Sequence, residues 1–365
     1  MTQSPQRIVS VVGARPNFMK LAPLVRAFAA RADVQHVIVH TGQHYDREMS
    51  EDVLRDLDVP PADYNLDVGS GTHAQQTAGI MLRFEPICEA LRPQFVLVYG
   101  DVNSTVAVAL VAAKLCVPVA HVEAGLRSRD WSMPEEINRV VTDRLSALLF
   151  APSRDAVDNL TAEGVPADRI HFVGNIMIDS LVRLLPAARR MGARARHGLR
   201  EGGYIVVTLH RPSNVDSPET LKELLSALSV LAADTPVLFP MHPRTRARVR
   251  TLGFRPTGQL RLLDPISYLE MLSLVASSRL VITDSGGLQE ETTFLGVPCL
   301  TVRPNTERPV TCTLGTNRLV APRRDALLDA ARNGIHLRSG GQVERWDGKT
   351  AERIVAVLCD GERFE

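Results

Sequence analysis

Leu280–Pro298 reads LVITDSGGLQEETTFLGVP, and the reading of this stretch decides the fold. The run Leu280–Ile282 with Thr283 is short and β-branched, as buried strands of parallel sheets are. Asp284 and Ser285 follow, then Gly286 and Gly287. Next comes LQEETTFLG, with Leu288, Thr292 and Leu295 at helical spacing and with Gly296 and Pro298 placed to stop the helix. A strand therefore passes through a tight glycine turn straight into a helix. Such a turn presents bare backbone N–H groups at the positive end of a helix dipole, a seat for a phosphate group. The glycines let a ligand approach the backbone closely. Glu290 and Glu291 stand one turn further on, where a carboxylate could reach the hydroxyls of a ribose. Taken alone, the stretch also fits an ordinary strand–helix turn with a Ser N-cap and acids in the first turn.

Working outward, strands and helices alternate almost throughout. Ile8–Val12, Val34–His40, Phe95–Val98, Val117–Val122, Leu148–Ala151 and Ile170–Val173 read as strands. Phe18–Ala30, Ala74–Leu91, Ser104–Leu115 and Pro134–Ala147 read as helices between them. This order implies an α/β protein with doubly wound parallel sheets. The alternation pauses at Leu184–Gly203, rich in Arg and Ala, which reads as a helix with a loose end or as a linker. It then resumes with strands Tyr204–Leu209, Val237–Pro240, Leu260–Leu263 and Cys299–Val302, and helices Glu219–Ala232 and Tyr268–Ala276. The last clear helix is Lys349–Leu358. The chain thus divides into two halves near Asp179–Gly202.

At 365 residues the chain is long for one typical domain and suits two. Apolar residues make up 45% and charged residues 23%, as in soluble globular proteins. A formal net charge of +1 supplies no global field toward nucleic acid or a membrane surface. The apolar run Ile8–Val12 is too short for a signal or transmembrane segment. Five scattered cysteines without CxxC spacing read as reduced thiols of a cytoplasmic protein. No HExxH, paired CxxC or acidic metal-binding loop occurs, so neither a metal nor another cofactor is expected.

Ligands of open α/β sheets lie beyond the carboxyl ends of the strands, so the polar residues there are the candidates. The first strand ends at Gly13, with Arg15 and Lys20 close behind. Two cations near a helix N-terminus oppose its dipole unless an anion lies between them; otherwise they are solvated side chains. The second strand ends in HTGQHYD, with Gln43, His44 and Asp46. Asp101, Glu123 and Glu135 follow further strands and could form a carboxylate cluster in which neighbours shift one another's protonation. Singly, Asp101 could cap a helix and Glu135 could simply face the dipole. Glu123 directly follows an apolar strand, where an unpaired charge is costly. In the second half His210 and His242 end adjacent strands facing the Ser285 turn, and Arg308 lies in the polar loop Asn305–Pro309.

In chain order GARPNFMKLAPL, TGQHYD, YGDVNST, HVEAGLRS, MPEEINR, LHRPSN, DSGGLQEE and NTERP resemble the motifs of the non-hydrolysing UDP-N-acetylglucosamine 2-epimerases. The resemblance runs from about Val11 to Val320. It implies the glycosyltransferase B-type fold, two Rossmann-like domains facing a deep cleft. The domains would be residues 1–180 and a UDP-binding domain at 181–348, with a helix at 349–365 packing back on the first. It implies that Ser285, Gly286 and Gly287 hold the phosphates of UDP with help from His210 and Arg15. Glu291 would bind the ribose, and Arg308, Gln43 and His242 would lie near the nucleotide. Lys20, Asp101, Glu123, Glu135 and His210 match the catalytic positions. The implied reaction interconverts UDP-N-acetylglucosamine and UDP-N-acetylmannosamine by eliminating UDP and adding it back, without nicotinamide. A homodimer is the common state of the family.

The chain departs from the pattern at two places. Many members read HRREN at His210-Arg211-Pro212-Ser213-Asn214 and AQHR at Thr41-Gly42-Gln43-His44-Tyr45. Both segments lie where some members bind a second UDP-N-acetylglucosamine, so allosteric control is not implied. A retaining glycosyltransferase, a hydrolysing epimerase and a non-catalytic nucleotide-sugar sensor are the competing readings. The first-domain set Lys20, Asp101, Glu123 and Glu135 favours the epimerase.

Overall fold

The computed structural model describes residues 5–42, 56–332 and 343–364. Two compact units divide the chain: Met1–Ser180 with Glu344–Glu365, and Leu181–Val343.

The first unit is built on seven strands: β1 (Gln6–Val12), β2 (Val34–His40), β3 (Tyr64–Asn65), β4 (Phe95–Tyr99), β5 (Val119–Val122), β6 (Leu148–Ala151) and β7 (Ile170–Phe172). They pair in parallel in the order β3-β2-β1-β4-β5-β6-β7. Its helices are α1 (Arg15–Ala29), α2 (His73–Leu91), α3 (Asn103–Lys114), α4 (Pro134–Leu145) and α5 (Arg154–Ala162), and α6 (Ile176–Met191) begins in it and continues past Ser180 into the second unit. The central strands β4 and β5 are buried from Val96 and from Val119 onward and are apolar but for His121, as strands covered on both faces by helices tend to be. α1 begins three residues before the expected Phe18. Pro16 presets the helical φ in the first turn. The Asn17 side chain accepts the Gly13 and Ala14 N–H groups at 3.3 and 3.1 Å and donates to the Tyr99 carbonyl at 3.1 Å.

The stretch Leu184–Gly203 is largely helical. α6 runs on to Met191 because Leu184 and Ala188, one turn apart, are buried while Arg189 and Arg190 face solvent. α5 is an element that the alternation does not announce; only Ala156 and Leu160 of its sequence RDAVDNLTA are buried, too few to mark a stripe.

The second unit carries β8 (Ile205–Thr208), β9 (Val237–Pro240), β10 (Leu260–Leu263), β11 (Leu280–Thr283), β12 (Cys299–Val302) and β13 (Asn317–Val320). They are parallel in the order β10-β9-β8-β11-β12-β13. The main helices are α7 (Pro218–Leu231), α8 (Pro243–Thr251), α9 (Tyr268–Val275), α10 (Gly286–Leu295) and α11 (Arg324–Arg332).

In both sheets the strand order reverses once, between β1 and β4 and between β8 and β11. These are the switch points, where flanking connections diverge and leave a crevice beyond the carboxyl ends. Gly13 and Gly100 lie at the first, His210 and Asp284 at the second.

The C-terminal segment belongs to the first unit. The Trp346 indole N–H donates to the Pro152 carbonyl at 2.9 Å. α12 (Thr350–Val355) presents the Thr350 and Ala351 N–H groups to the Asp179 carboxylate at 3.1 and 2.8 Å. Asp179 thus satisfies donors at a helix start that has no intrahelical partners for them. Among the described residues no helix is long and apolar enough to cross a membrane.

Candidate active site

In the first unit the switch point gathers charged groups that the apolar strands would otherwise exclude. Lys20, on α1, and Glu123, just past β5, are both buried and form an ion pair. Glu123 is held at φ 73°, a left-handed conformation that side-chain-bearing residues seldom adopt and that occurs most at functional sites. Its N–H and that of Ala124 both donate to the Phe150 carbonyl at 3.1 Å, which fixes the turn. Gly100 has φ +63°, and a Cβ there would lie 2.7 Å from the Lys20 ammonium nitrogen and 3.1 Å from Glu123 Oε2. Glycine is therefore required both for the turn and for the pair it covers.

Asp101 follows at once and pairs with Arg139 of α4. It does not cap α3, whose N-cap is Val102. Arg139 is buried and also pairs with Glu136. Glu135 lies half-buried in the first turn of α4, one helical turn before Arg139 and so on the same side of the helix. Asp101, Glu123, Lys20 and Glu135 thus belong to one carboxyl edge. Glu136 plays a different part, because its carboxylate accepts the Ser128 and Arg129 N–H groups at 2.9 and 2.8 Å and shapes the loop before α4. Arg15 is the first residue of α1. Gln43, His44 and Asp46 lie outside the described residues.

In the second unit Asp284 organises the edge. It is fully buried and accepts the backbone N–H of His210 at 3.0 Å, that of Arg211 at 2.9 Å and the Asn214 amide at 3.0 Å. Burial alone would raise its carboxyl. The His210 ring, the Arg211 N–H and Asn214 outweigh burial and hold it below the usual carboxylate range. His210 Nδ1 lies 3.0 Å from Asp284 Oδ1, which fixes the ring and makes Nε2 the nitrogen not committed to this carboxylate. His242 is exposed and serves as N-cap of α8, its Nδ1 accepting the Arg244 N–H at 3.3 Å.

Ser285 precedes α10, yet its hydroxyl makes no capping bond, and the first-turn N–H groups of Gly286 and Gly287 open the helix. Arg308 lies behind this turn. It is buried, with Nε 2.9 Å from Glu290 Oε1 and a second pair to Glu307, which also holds Arg303 at 2.7 Å. The turn is thus backed by the Arg308 guanidinium, whose charge Glu290 and Glu307 balance and whose position they fix.

Glu291 is buried and accepts the Tyr268 hydroxyl at 3.0 Å. Burial, with nearby Glu290, pushes its carboxyl up to about 7 against the lowering effect of Tyr268. A carboxyl raised by folding contributes stability that is full below the unfolded value of 4.5 and is lost as pH rises through about 7. Glu291→Gln removes that loss. Thermal melting should show the variant more stable than the parent at about pH 8, by on the order of 1–3 kcal/mol, with no gain at about pH 4. Equal melting at the higher pH would show that the carboxyl is not raised.

His121, Asp143, Asp284, Glu307 and Tyr268 are not singled out by strand-end reasoning. One signal was readable: Glu136, Arg139 and Asp143 recur at helical spacing, and all three are buried, so the inner stripe of α4 is ionic. Among the described residues no group of three or more His, Cys, Asp or Glu side chains is arranged to hold a metal ion.

Two parallel Rossmann-like sheets, each with polar side chains at its switch point, define an α/β protein of the glycosyltransferase B-type architecture. A family model described as UDP-N-acetylglucosamine 2-epimerase matches residues 26–359, and the chain belongs to that family. The UDP-2,3-diacetamido-2,3-dideoxy-D-glucuronate 2-epimerase of Pseudomonas aeruginosa is 42% identical over 358 residues, covering 97% of this chain and 99% of its own. The UDP-N-acetylglucosamine 2-epimerase of Methanocaldococcus jannaschii is 39% identical, covering 96% of this chain and 98% of its own. Its crystal structure in complex with UDP-GlcNAc and UDP superposes with a TM-score of 0.90 at 38% identity, covering 98% of this chain and 100% of that one. The Neisseria meningitidis enzyme bound to UDP-GlcNAc gives 0.89 at 28% identity, covering 97% and 100%.

Proposed function

We propose that the protein inverts C2 of UDP-N-acetylglucosamine, giving UDP-N-acetylmannosamine reversibly, for use in surface polysaccharides. The observation that carries this reading is the set of charged groups at the first switch point: Lys20 paired with Glu123, and Asp101 paired with Arg139, whose helix carries Glu135 in its first turn. A seat for a nucleotide alone would not need it.

The C2 proton beside an acetamido group is weakly acidic, so a base must be held against it while the leaving group departs. One carboxylate takes the C2 proton, the C1–O bond to UDP breaks, and C1=C2 forms to give 2-acetamidoglucal. UDP then adds back to C1, and a proton returns to the opposite face of C2. Asp101, Glu123 and Glu135 are the candidates for base and acid, and two of them serve the two faces. Lys20 balances the charge of Glu123. Ser285, Gly286 and Gly287 hold the diphosphate, backed by Arg308 and helped by His210. Charge stabilisation of this kind on a departing group is usually the largest catalytic term. Glu291 binds the ribose, and His242 borders the nucleotide.

A second substrate has a specific observation in its favour. The Pseudomonas relative, 42% identical, is named for UDP-2,3-diacetamido-2,3-dideoxy-D-glucuronate, which presents the same C2 acetamido group and leaving group. Incubation with each nucleotide sugar in deuterated water, followed by proton NMR, tests both. The expected product is the UDP-linked C2 epimer carrying deuterium at C2. Product that keeps its original hydrogen would exclude the elimination route, free sugar with UDP would mean hydrolysis, and no turnover of either sugar would leave a binding protein. A cytoplasmic location fits five unbridged cysteines, and a homodimer belongs to the same reading.

A further inference from the structure

We infer that His121 is a doubly protonated positioning residue that ties together the two carboxylate-bearing turns of the first unit. The inference rests on reading that edge as the acid–base site.

His121 lies on β5, fully buried. Its Nε2 is 2.7 Å from the Gly100 carbonyl oxygen, and its Nδ1 is 2.6 Å from Asp143 Oδ1. A carbonyl only accepts, so Nε2 carries hydrogen. The other Asp143 oxygen receives the Gly125 N–H at 3.1 Å and the Arg127 guanidinium at 2.7 Å, the surroundings of an ionised acceptor. Nδ1 must then donate as well. A neutral imidazole has a single N–H and would leave one of these buried contacts unmade.

Asp143, Arg127 and Glu163 are the charged groups linked to the ring; Glu163 is bound to Arg127 through two contacts of 2.7 Å, and its side chain reaches solvent.

The consequence is mechanical. The ring holds Gly100, immediately before Asp101. Through Asp143 it also holds Gly125, two residues after Glu123. The relay therefore sets the distance between two of the candidate acid–base groups, and reacting groups tolerate little displacement.

The test uses the intact protein labelled with nitrogen-15 histidine. One ring, missing from the spectra of His121→Gln, should show both nitrogens protonated at about pH 7. An unprotonated nitrogen on that ring at about pH 7 would overturn the assignment. In kinetics, His121→Gln should lower kcat at least about tenfold. Its KM and UDP affinity should stay within about twofold of the parent. Asp143→Asn strips the ring of its counter-charge, so kcat should gain an ionisation between about pH 5 and about pH 8 that the parent lacks. A merely structural role would lower the active fraction without that new limb, and the parent's pH profile in Asp143→Asn would therefore overturn positioning. A parent protein that epimerises neither sugar would overturn the functional reading instead, while the ring spectra still decide the state of His121.

Discussion

Glu123→Gln is expected to lower kcat by about 10²–10⁴-fold, the usual contribution of a positioned acid or base, with UDP affinity almost unchanged. The amide keeps the size of the carboxylate and removes its charge and basicity. Glu123 and Lys20 are buried against each other, so the substitution also removes one counter-charge of a buried ammonium. Breaking a buried pair on one side costs about 3–5 kcal/mol, and the melting temperature should fall accordingly. The double variant Lys20→Met with Glu123→Gln separates stability from chemistry. It should recover much of the melting temperature, because a buried pair replaced on both sides is often neutral, and should recover none of the turnover. Asp101→Asn and Glu135→Gln should each lower kcat by at least about tenfold by the same reasoning. Turnover by Glu123→Gln equal to that of the parent would remove Glu123 from the mechanism.

Gly286→Val should weaken UDP binding by at least about a hundredfold, a loss of about 2.7 kcal/mol. A Cβ at residue 286 would lie 2.6 Å from an Arg308 guanidinium nitrogen and 3.0 Å from Glu307 Oε1. A flexible Arg would swing aside, but Arg308 is buried and tied to Glu290 and Glu307. The branched side chain must displace either that pair or the turn itself, and both define the proposed seat of the diphosphate. The damage should stay within the second unit. Both tryptophans of the chain, Trp131 and Trp346, belong to the first unit. Their fluorescence should therefore melt as in the parent while calorimetry with UDP shows the loss. Unchanged UDP affinity would sink the assignment of this turn.

The sequence by itself determined the alternation of strands and helices, the strand–glycine–helix unit at Leu280–Pro298 and the set of polar residues that end the strands. These are local properties: a β-branched run favours a pleated strand, and glycines mark the turn that a strand needs to enter a helix directly. Its motifs also sufficed for the family. The partners of the charged residues were decided only by tertiary structure. Lys20 meets Glu123, His121 meets Asp143 and Gly100, and Asp284 meets His210, because the strand order places β1 beside β4, β4 beside β5 and β8 beside β11. Periodicity states which face of an element is covered. It does not state which distant residue covers it, and a buried charge is set by that partner alone. For this reason Arg308, legible as a cation near an anion site, proved to be a buried support of the Gly286 turn, and His121, which looked like one more residue of an apolar strand, proved to join the two turns that carry Asp101 and Glu123.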